Sequence, residues 1–410
     1  MLYILKPLLL RPLMPLLVVL QVALACAIAC NALFLLQQKL GPVLEPNGVS
    51  DSSHLIVLSP IIPKGEPWSS ARMRAVQADL RFVPGVKAVT YADAFPMVDT
   101  SYMAAHVFGN EDKQAQIDTA VYLGDNLLDT IGLHLVAGRN FTSSEESVNY
   151  GTDMGFHTAG PVIITRALAD RLFPNGHALG QIIRYSNSAG GDRTVIGVVT
   201  NLMRNSFTPD NRELEYTMLF PGVATRWPMS VFAVRVATPN ALRACGPLKA
   251  VIQRDLGARL LPGTDVECEL YSTMRDQTLA PQRAAVWLLS GVTLIVLIVT
   301  LTGIMGMTGY WVQQRTRSIG IRRALGAKRS DVLRELLIEN LLVVGAGVIV
   351  GMLAAYGINL WLMRHYELLR LPWTYLPIGA VMLLVLGQLA VLGPAHRASW
   401  IPPVVATRSF

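Results

Sequence analysis

Between Val312 and Glu335 the chain concentrates seven cationic residues, Arg315, Arg317, Arg322, Arg323, Lys328, Arg329 and Arg334, against only Asp331 and Glu335. Guanidinium groups recognise phosphates and carboxylates. The pattern predicts a short amphipathic helix over Ser318 to Leu325, ended by Gly326, with Ile319, Ile321 and Leu325 as apolar contacts and Arg322 and Arg323 as cations. Lying along a membrane face, such a helix would rest its arginines on lipid phosphates.

Other chemistry-bearing residues do not converge. His54, His106, His134, His157 and His177 are scattered, with no His-Glu-x-x-His spacing and no Cys-x-x-Cys, so no metal is expected. There is no Gly-x-Ser-x-Gly and no phosphate-cradling Gly-x-x-x-x-Gly-Lys-[Ser/Thr], so no catalytic residue, no cofactor bound by this chain and no ATP hydrolysis by it alone are expected. Cys26 and Cys30, one turn apart, read as small apolar residues. Cys245 and Cys268 form a candidate disulfide if their segment lies in an oxidising compartment.

The elements that position these residues are membrane spans. Of 410 residues, 52% are hydrophobic and 15% charged, with a mean hydropathy of +0.40, more apolar than an ordinary soluble domain. The excess sits in four runs, each long enough for a bilayer: 13–36, 286–311, 336–361 and 375–393. From Lys39 to Arg283 there are 22 Lys and Arg against 24 Asp and Glu, a net of −2. The positive excess therefore flanks the apolar runs, which argues against nucleic-acid binding. The basic segment 312–335 is then a cytoplasmic loop between the second and third runs, and 1–12, with Lys6 and Arg11, and the tail 394–410 are cytoplasmic too. Residues 37–285 and the turn 362–374 fall outside, with Trp361, Trp373 and Tyr375 as interfacial anchors. A cleaved signal peptide is the competing reading of the first run, but the run continues through Leu33 to Leu36, past both lipoprotein-like sites.

Within 37–285, strands are predicted at His54 to Leu58, Val86 to Tyr91, Ile117 to Leu123, Val162 to Thr165, Thr194 to Val199, Ser230 to Val236 and Asp265 to Tyr271. Helices are predicted at Ser69 to Phe82, Arg166 to Phe173 and Asn240 to Leu256. The expected fold is an α-helical membrane protein with four transmembrane helices and a large α+β extracytoplasmic domain, in two lobes, inserted between helices one and two. A helix of about 30 residues from Gln282 to Val312 would link that domain to the basic segment. Gly303, Gly306 and Gly309, and Gly347 and Gly351, are candidate close-packing positions. Glu339 and Asn340, a turn inside the third run, are read as positioning groups rather than a proton relay.

The stretch Gln313 to Gly351 closely resembles the signature of the MacB/FtsX-like ABC permeases, in which an Arg-x-x-Glu-Ile-Gly-Ile-Arg-x-Ala-Leu-Gly-Ala segment docks on a cytoplasmic ATPase. The match runs through Arg315, Arg317, Ser318, Ile319, Gly320, Ile321, Arg322, Arg323, Ala324, Leu325, Gly326 and Ala327, with Ser318 where the family commonly has Glu. Asp125 to Phe141, Val162 to Arg184 and Thr194 to Asn201 resemble the MacB-type periplasmic core domain, and Leu270 to Arg283 and Pro394 to Arg408 resemble family segments flanking the spans.

The resemblance implies an inner-membrane permease subunit without a fused ATPase. ATP and Mg would be bound by a partner ATPase, whose cycle would move the periplasmic domain rather than open a central pore. It implies a second permease copy or related permease as dimer partner, a periplasmic membrane-fusion protein as a further partner, and export of a peptide, drug or natural product. FtsX-like mechanotransmission without transport and Lol-type lipoprotein release are the alternatives, the first disfavoured by the size of the outer domain.

Overall fold

The computed structural model describes residues 13–65, 68–97, 104–108, 117–150, 157–185, 191–204, 214–223, 229–237, 241–366 and 371–400. In chain order the elements are α1 (Leu13–Leu44), β1 (Leu55–Ile61), α2 (Ser70–Arg81), β2 (Val86–Ala92), β3 (Ala104–Phe108), β4 (Ile117–Gly124), α3 (Leu127–Ile131), β5 (Leu135–Gly138) and α4 (Ser143–Glu146). There follow β6 (Gly160–Thr165), α5 (Arg166–Leu172), β7 (Ile182–Tyr185), β8 (Arg193–Val199), β9 (Thr217–Pro221), β10 (Ser230–Val236), α6 (Cys245–Leu256) and β11 (Glu267–Leu270). Three long helices close the chain: α7 (Tyr271–Ala324), α8 (Arg329–Tyr366) and α9 (Tyr375–Ser399). The chain divides into two compact units, residues 41–281 and the helical remainder.

The unit 41–281 is α+β, and its strands form two lobes. One is an antiparallel sheet ordered β11-β1-β10-β2. In the other, the path β4-β3-β7-β8-β6-β9 closes because β4 also pairs with β9, with Val121 opposite Met218. Closure removes exposed edges. Between the lobes the strand ladder is a single β2–β4 pair, Ala92 opposite Gly124.

Both faces of β1 are buried, which explains its unbroken apolar run. Ile56 and Leu58 join Met73 and Leu80 of α2 and Leu248 and Ile252 of α6 in one core. Leu55 and Val57 join Tyr122, Leu127 and Ile131 in another. Val162, Ile164, Leu168 and Phe220 build a third within the closed lobe. Helix α2 begins where the Ser69 hydroxyl accepts from the Arg72 main chain.

Several boundaries differ from the sequence reading. Strands β3, β5, β7 and β9 are added to the predicted set. The α6 helix starts at Cys245, preceded by a 3-10 turn over Ala241–Ala244, because Pro247 suits the first turn of a helix but not its interior. The last strand is only Glu267–Leu270, since Tyr271 already begins α7.

In the helical unit, four helices among the described residues are long and apolar enough to cross a membrane: Pro15–Leu44, Tyr271–Arg322, Arg329–His365 and Tyr375–Ser399. All extend beyond the apolar runs, because a helix continues through polar residues once its backbone hydrogen bonds are propagating. Segment 312–335 is accordingly not a loop: α7 runs through it to Ala324 and α8 resumes at Arg329. Segment 1–12 and residues 401–410 of the tail lie outside the described residues, as do 367–370 of the turn 362–374.

Val22, Cys26 and Cys30 of α1 share a buried cluster with Val344, Val348 and Ala355 of α8 and Leu383 and Val391 of α9. The sulfurs of Cys26 and Cys30 are 3.9 Å apart, and Cys26 Sγ donates to the Val348 carbonyl. Added Cβ atoms at Gly347 and Gly351 would strike Val22 and Cys26, and one at Gly303 would strike Gln21. Gly306 and Gly309 differ: nothing described lies within 4 Å of a Cβ there. Among the described residues they therefore have no neighbour to pack against.

Candidate coupling site

The basic segment folds as a tight hairpin between α7 and α8. Gly326 adopts φ +102, and the Ala327 amide reaches back to the Arg322 carbonyl at 3.1 Å, the six-residue closure that ends a helix on a left-handed glycine. Two residues later α8 is capped. The Asp331 carboxylate accepts from the Lys328 main-chain N–H at 3.0 Å, and the Asp331 amide donates to the Lys328 carbonyl at 3.1 Å.

Two arginines tie the hairpin arms together. Arg315 Nη1 donates to both carboxylate oxygens of Glu339, at 2.8 and 2.7 Å. That carboxylate is 2% exposed, its partner 28%. Nearer the turn, Arg322 Nη1 donates to both oxygens of Glu335, at 3.0 and 2.9 Å. Arg329 stacks its guanidinium 3.9 Å from the Trp400 ring, a cation–π contact. Asn340 donates to the Gly387 carbonyl at 3.1 Å.

The segment expected to act together is therefore split in two directions. Ile319 and Gly320 are buried, Ile319 in the cluster that also holds Val332 and Leu336. Ile321 and Leu325, expected as apolar contacts, instead face outward at 49% and 84% exposure. The cause is that Ser318 to Leu325 continues the axis of α7 rather than lying as a separate helix. Arg317, Ser318, Ala324 and Gly326 are also exposed, Ala327 half-buried, and the side chain of Arg323 is outside the described set. Sequence reasoning missed both ion pairs. Their signal was available: each couples a cation before the Gly326 turn to a carboxylate after it.

The unit 41–281 holds the other candidate pair. Cys245 and Cys268 are disulfide-bonded in the structure, with Cα atoms 5.8 Å apart, joining α6 to β11. Among the described residues no group of His, Cys, Asp and Glu could hold a metal.

A bundle of long apolar helices with a basic hairpin, attached to an α+β domain, defines a membrane permease component. Residues 290–403 match the model of the FtsX-like permease C-terminal domain, and residues 45–244 that of the MacB-like periplasmic core domain. The chain belongs to the MacB/FtsX-like ABC transporter permease family. It is 27% identical to the uncharacterized ABC transporter permease YvrN of Bacillus subtilis over 89% of this chain and 85% of the relative. It is 23% identical to the uncharacterized permease YknZ of the same organism over 83% and 81%. It is 25% identical to the macrolide export ATP-binding/permease protein MacB of Chromobacterium violaceum over 84% of this chain but only 51% of that protein.

Proposed function

We propose that this chain is a permease subunit driven by a separate ATPase chain that docks on the hairpin tip, Ile321 to Ala327. The observation that carries this reading is the contrast at the tip. Leu325 is 84% exposed at the end of a hairpin whose arms are pinned by two ion pairs, so an apolar knob is presented on a stiff support. Seven cationic residues support a cytoplasmic location for this tip. Four spans with both termini cytoplasmic, and a periplasmic domain at 37–285, follow from that orientation.

In this reading, ATP and Mg are handled by the partner, and closure of two ATPases under a pair of permease chains moves the tips. The motion is carried along α7, whose 54 residues form one helix. The work done outside is export of a peptide, drug or natural product with a periplasmic membrane-fusion protein. Support comes from the family and from an outer domain of the MacB type.

The test is affinity purification in mild detergent with identification of the ATPase that co-purifies. Leu325→Asp is expected to abolish co-purification while leaving membrane insertion intact. A charge-swapped chain, Arg322→Glu with Glu335→Arg, keeps the clasp and separates its role from docking. Full ATPase recovery and activity with Leu325→Asp would overturn the proposal.

A further inference from the structure

All four residues of β5 are exposed, including Leu135 and Val136 at 37% and 40%. Among the described residues this strand pairs only with β8, so its other side is a sheet edge. Leu135 stands opposite Val199, and Gly138 opposite Gly197. The Thr200 amide donates to the His134 carbonyl at 3.1 Å, and the Arg139 amide to the Ile196 carbonyl at 3.0 Å. Ladder bonds thus flank both pairs, which turns the N–H and C=O of Leu135 and Gly138 themselves away from β8. No described group meets them there. Open main-chain groups on an edge are a template for one more strand.

A second observation, made of side chains rather than main chain, lies beside this edge. A cavity of about 260 Å³ in the unit 41–281 is lined by Ala137 of β5, Val198 of β8, Ala169 and Phe173, and Leu179. Its volume falls just under the range of sites for whole small molecules, about 300–1,000 Å³, and suits one large side chain. Arg166 and Asp170, one turn apart on α5, also line it, and among the described residues neither is in an ion pair. Their opposite charges offset each other, so the mouth favours a neutral group. Ala137 is the hinge of the argument. Its small side chain leaves the way from the edge into the cavity open, where a larger one would close it.

The edge also selects its occupant. Its register shifts between Leu135 and Ala137, a bulge that spaces the outward groups three residues apart instead of two. A regular strand held in a folded sheet offers its own groups at every second residue and meets only one end of this edge. A free peptide adjusts its dihedrals and meets both.

We propose that β5 and the neighbouring cavity bind a short, extended, free peptide, its main chain added to the edge at Leu135 and Gly138 and one large apolar side chain seated against Val198 and Phe173. The site goes beyond the coupling reading and stands without it, because no residue of the hairpin takes part.

The experiment is titration calorimetry of the full chain in phosphatidylcholine nanodiscs, with empty nanodiscs as blank. The probe is acetyl-Ser-Thr-Leu-Thr-Ser-amide. It is compared with the same peptide carrying alanine for leucine, and with one N-methylated at its three central nitrogens, which keeps the side chains and removes the main-chain donors. Saturable binding of the parent peptide is expected, with the alanine and N-methyl peptides each about tenfold weaker. Ala137→Phe fills the cavity and weakens the parent peptide about tenfold. Leu135→Pro removes an outward N–H that the ladder with β8 does not use, and weakens binding about fivefold relative to Leu135→Ala. Melting curves by circular dichroism verify that the variants fold. N-methyl peptide binding as tightly as the parent, as a purely apolar pocket would show, overturns the proposal. So does unchanged affinity in folded Ala137→Phe, or no saturation by millimolar peptide, as an edge reserved for a folded partner would show. ATPase co-purification is not read in this assay, so its failure and that of the coupling reading are separable.

Discussion

The Arg315–Glu339 pair allows a signed prediction. At 4 Å in an effective dielectric of 20, two unit charges attract by about 4 kcal/mol. Desolvation of both groups offsets most of that, so the pair as a whole contributes little net stability. Removing one partner is different, and the two partners are not equivalent, since Glu339 is 2% exposed at its side chain and Arg315 28%. Arg315→Ala strands a carboxylate too short to reach water, at a cost of about 3–5 kcal/mol. Glu339→Gln keeps the shape and an acceptor oxygen, while the longer arginine extends its head toward solvent, so the cost is about 1–2 kcal/mol. Paired replacement, Arg315→Met with Glu339→Leu, recovers most of the loss. Equilibrium unfolding of the full chain in mixed micelles with increasing dodecyl sulfate measures all three. Equal losses for the two single variants, or a larger loss for Glu339→Gln, would refute the reasoning.

Further expectations follow from other contacts. Gly351→Leu forces its side chain against Cys26 Cβ, 2.5 Å from an added Cβ, and costs about 1–3 kcal/mol in the same assay, whereas Gly306→Leu stays within about 0.5 kcal/mol. Arg235 donates to the carbonyls of Ser50, Thr130 and Ile131, so Arg235→Met takes a donor from each and lowers the stability of the unit 41–281 by about 3 kcal/mol, read by thermal unfolding with circular dichroism. Burial pushes Asp93 from 3.8 up to about 7. The folded state then holds this proton more tightly than the unfolded one, so stability falls as pH rises from about 4 to 7. In Asp93→Asn that component disappears, and the difference between wild-type and variant melting temperatures changes across that window and flattens above it.

Much of the architecture was legible because lipid imposes a coarse and unambiguous pattern. Long apolar runs, the position of the basic segment, and the beginnings of α2, at Ser69, and α5, after Thr165, follow from composition, capping and breaker residues that act locally. The signature through Arg315 and Ile319 to Ala327 likewise pointed to the family from its residues alone. Strands β3, β5, β7 and β9 escaped because they are four or five residues long, and for β5 and β9 the pairing partners, β8 and β4, also lie far away in sequence.

Only the tertiary structure decided what the arginines touch. Arg315 and Arg322 carry the same charge in the same segment, yet each meets its own glutamate across a turn, while the apolar Leu325 is left outside. Composition fixes which groups can attract. Which of them meet depends on where α7 ends and how α8 returns beside it, and a single left-handed glycine at 326 determines that.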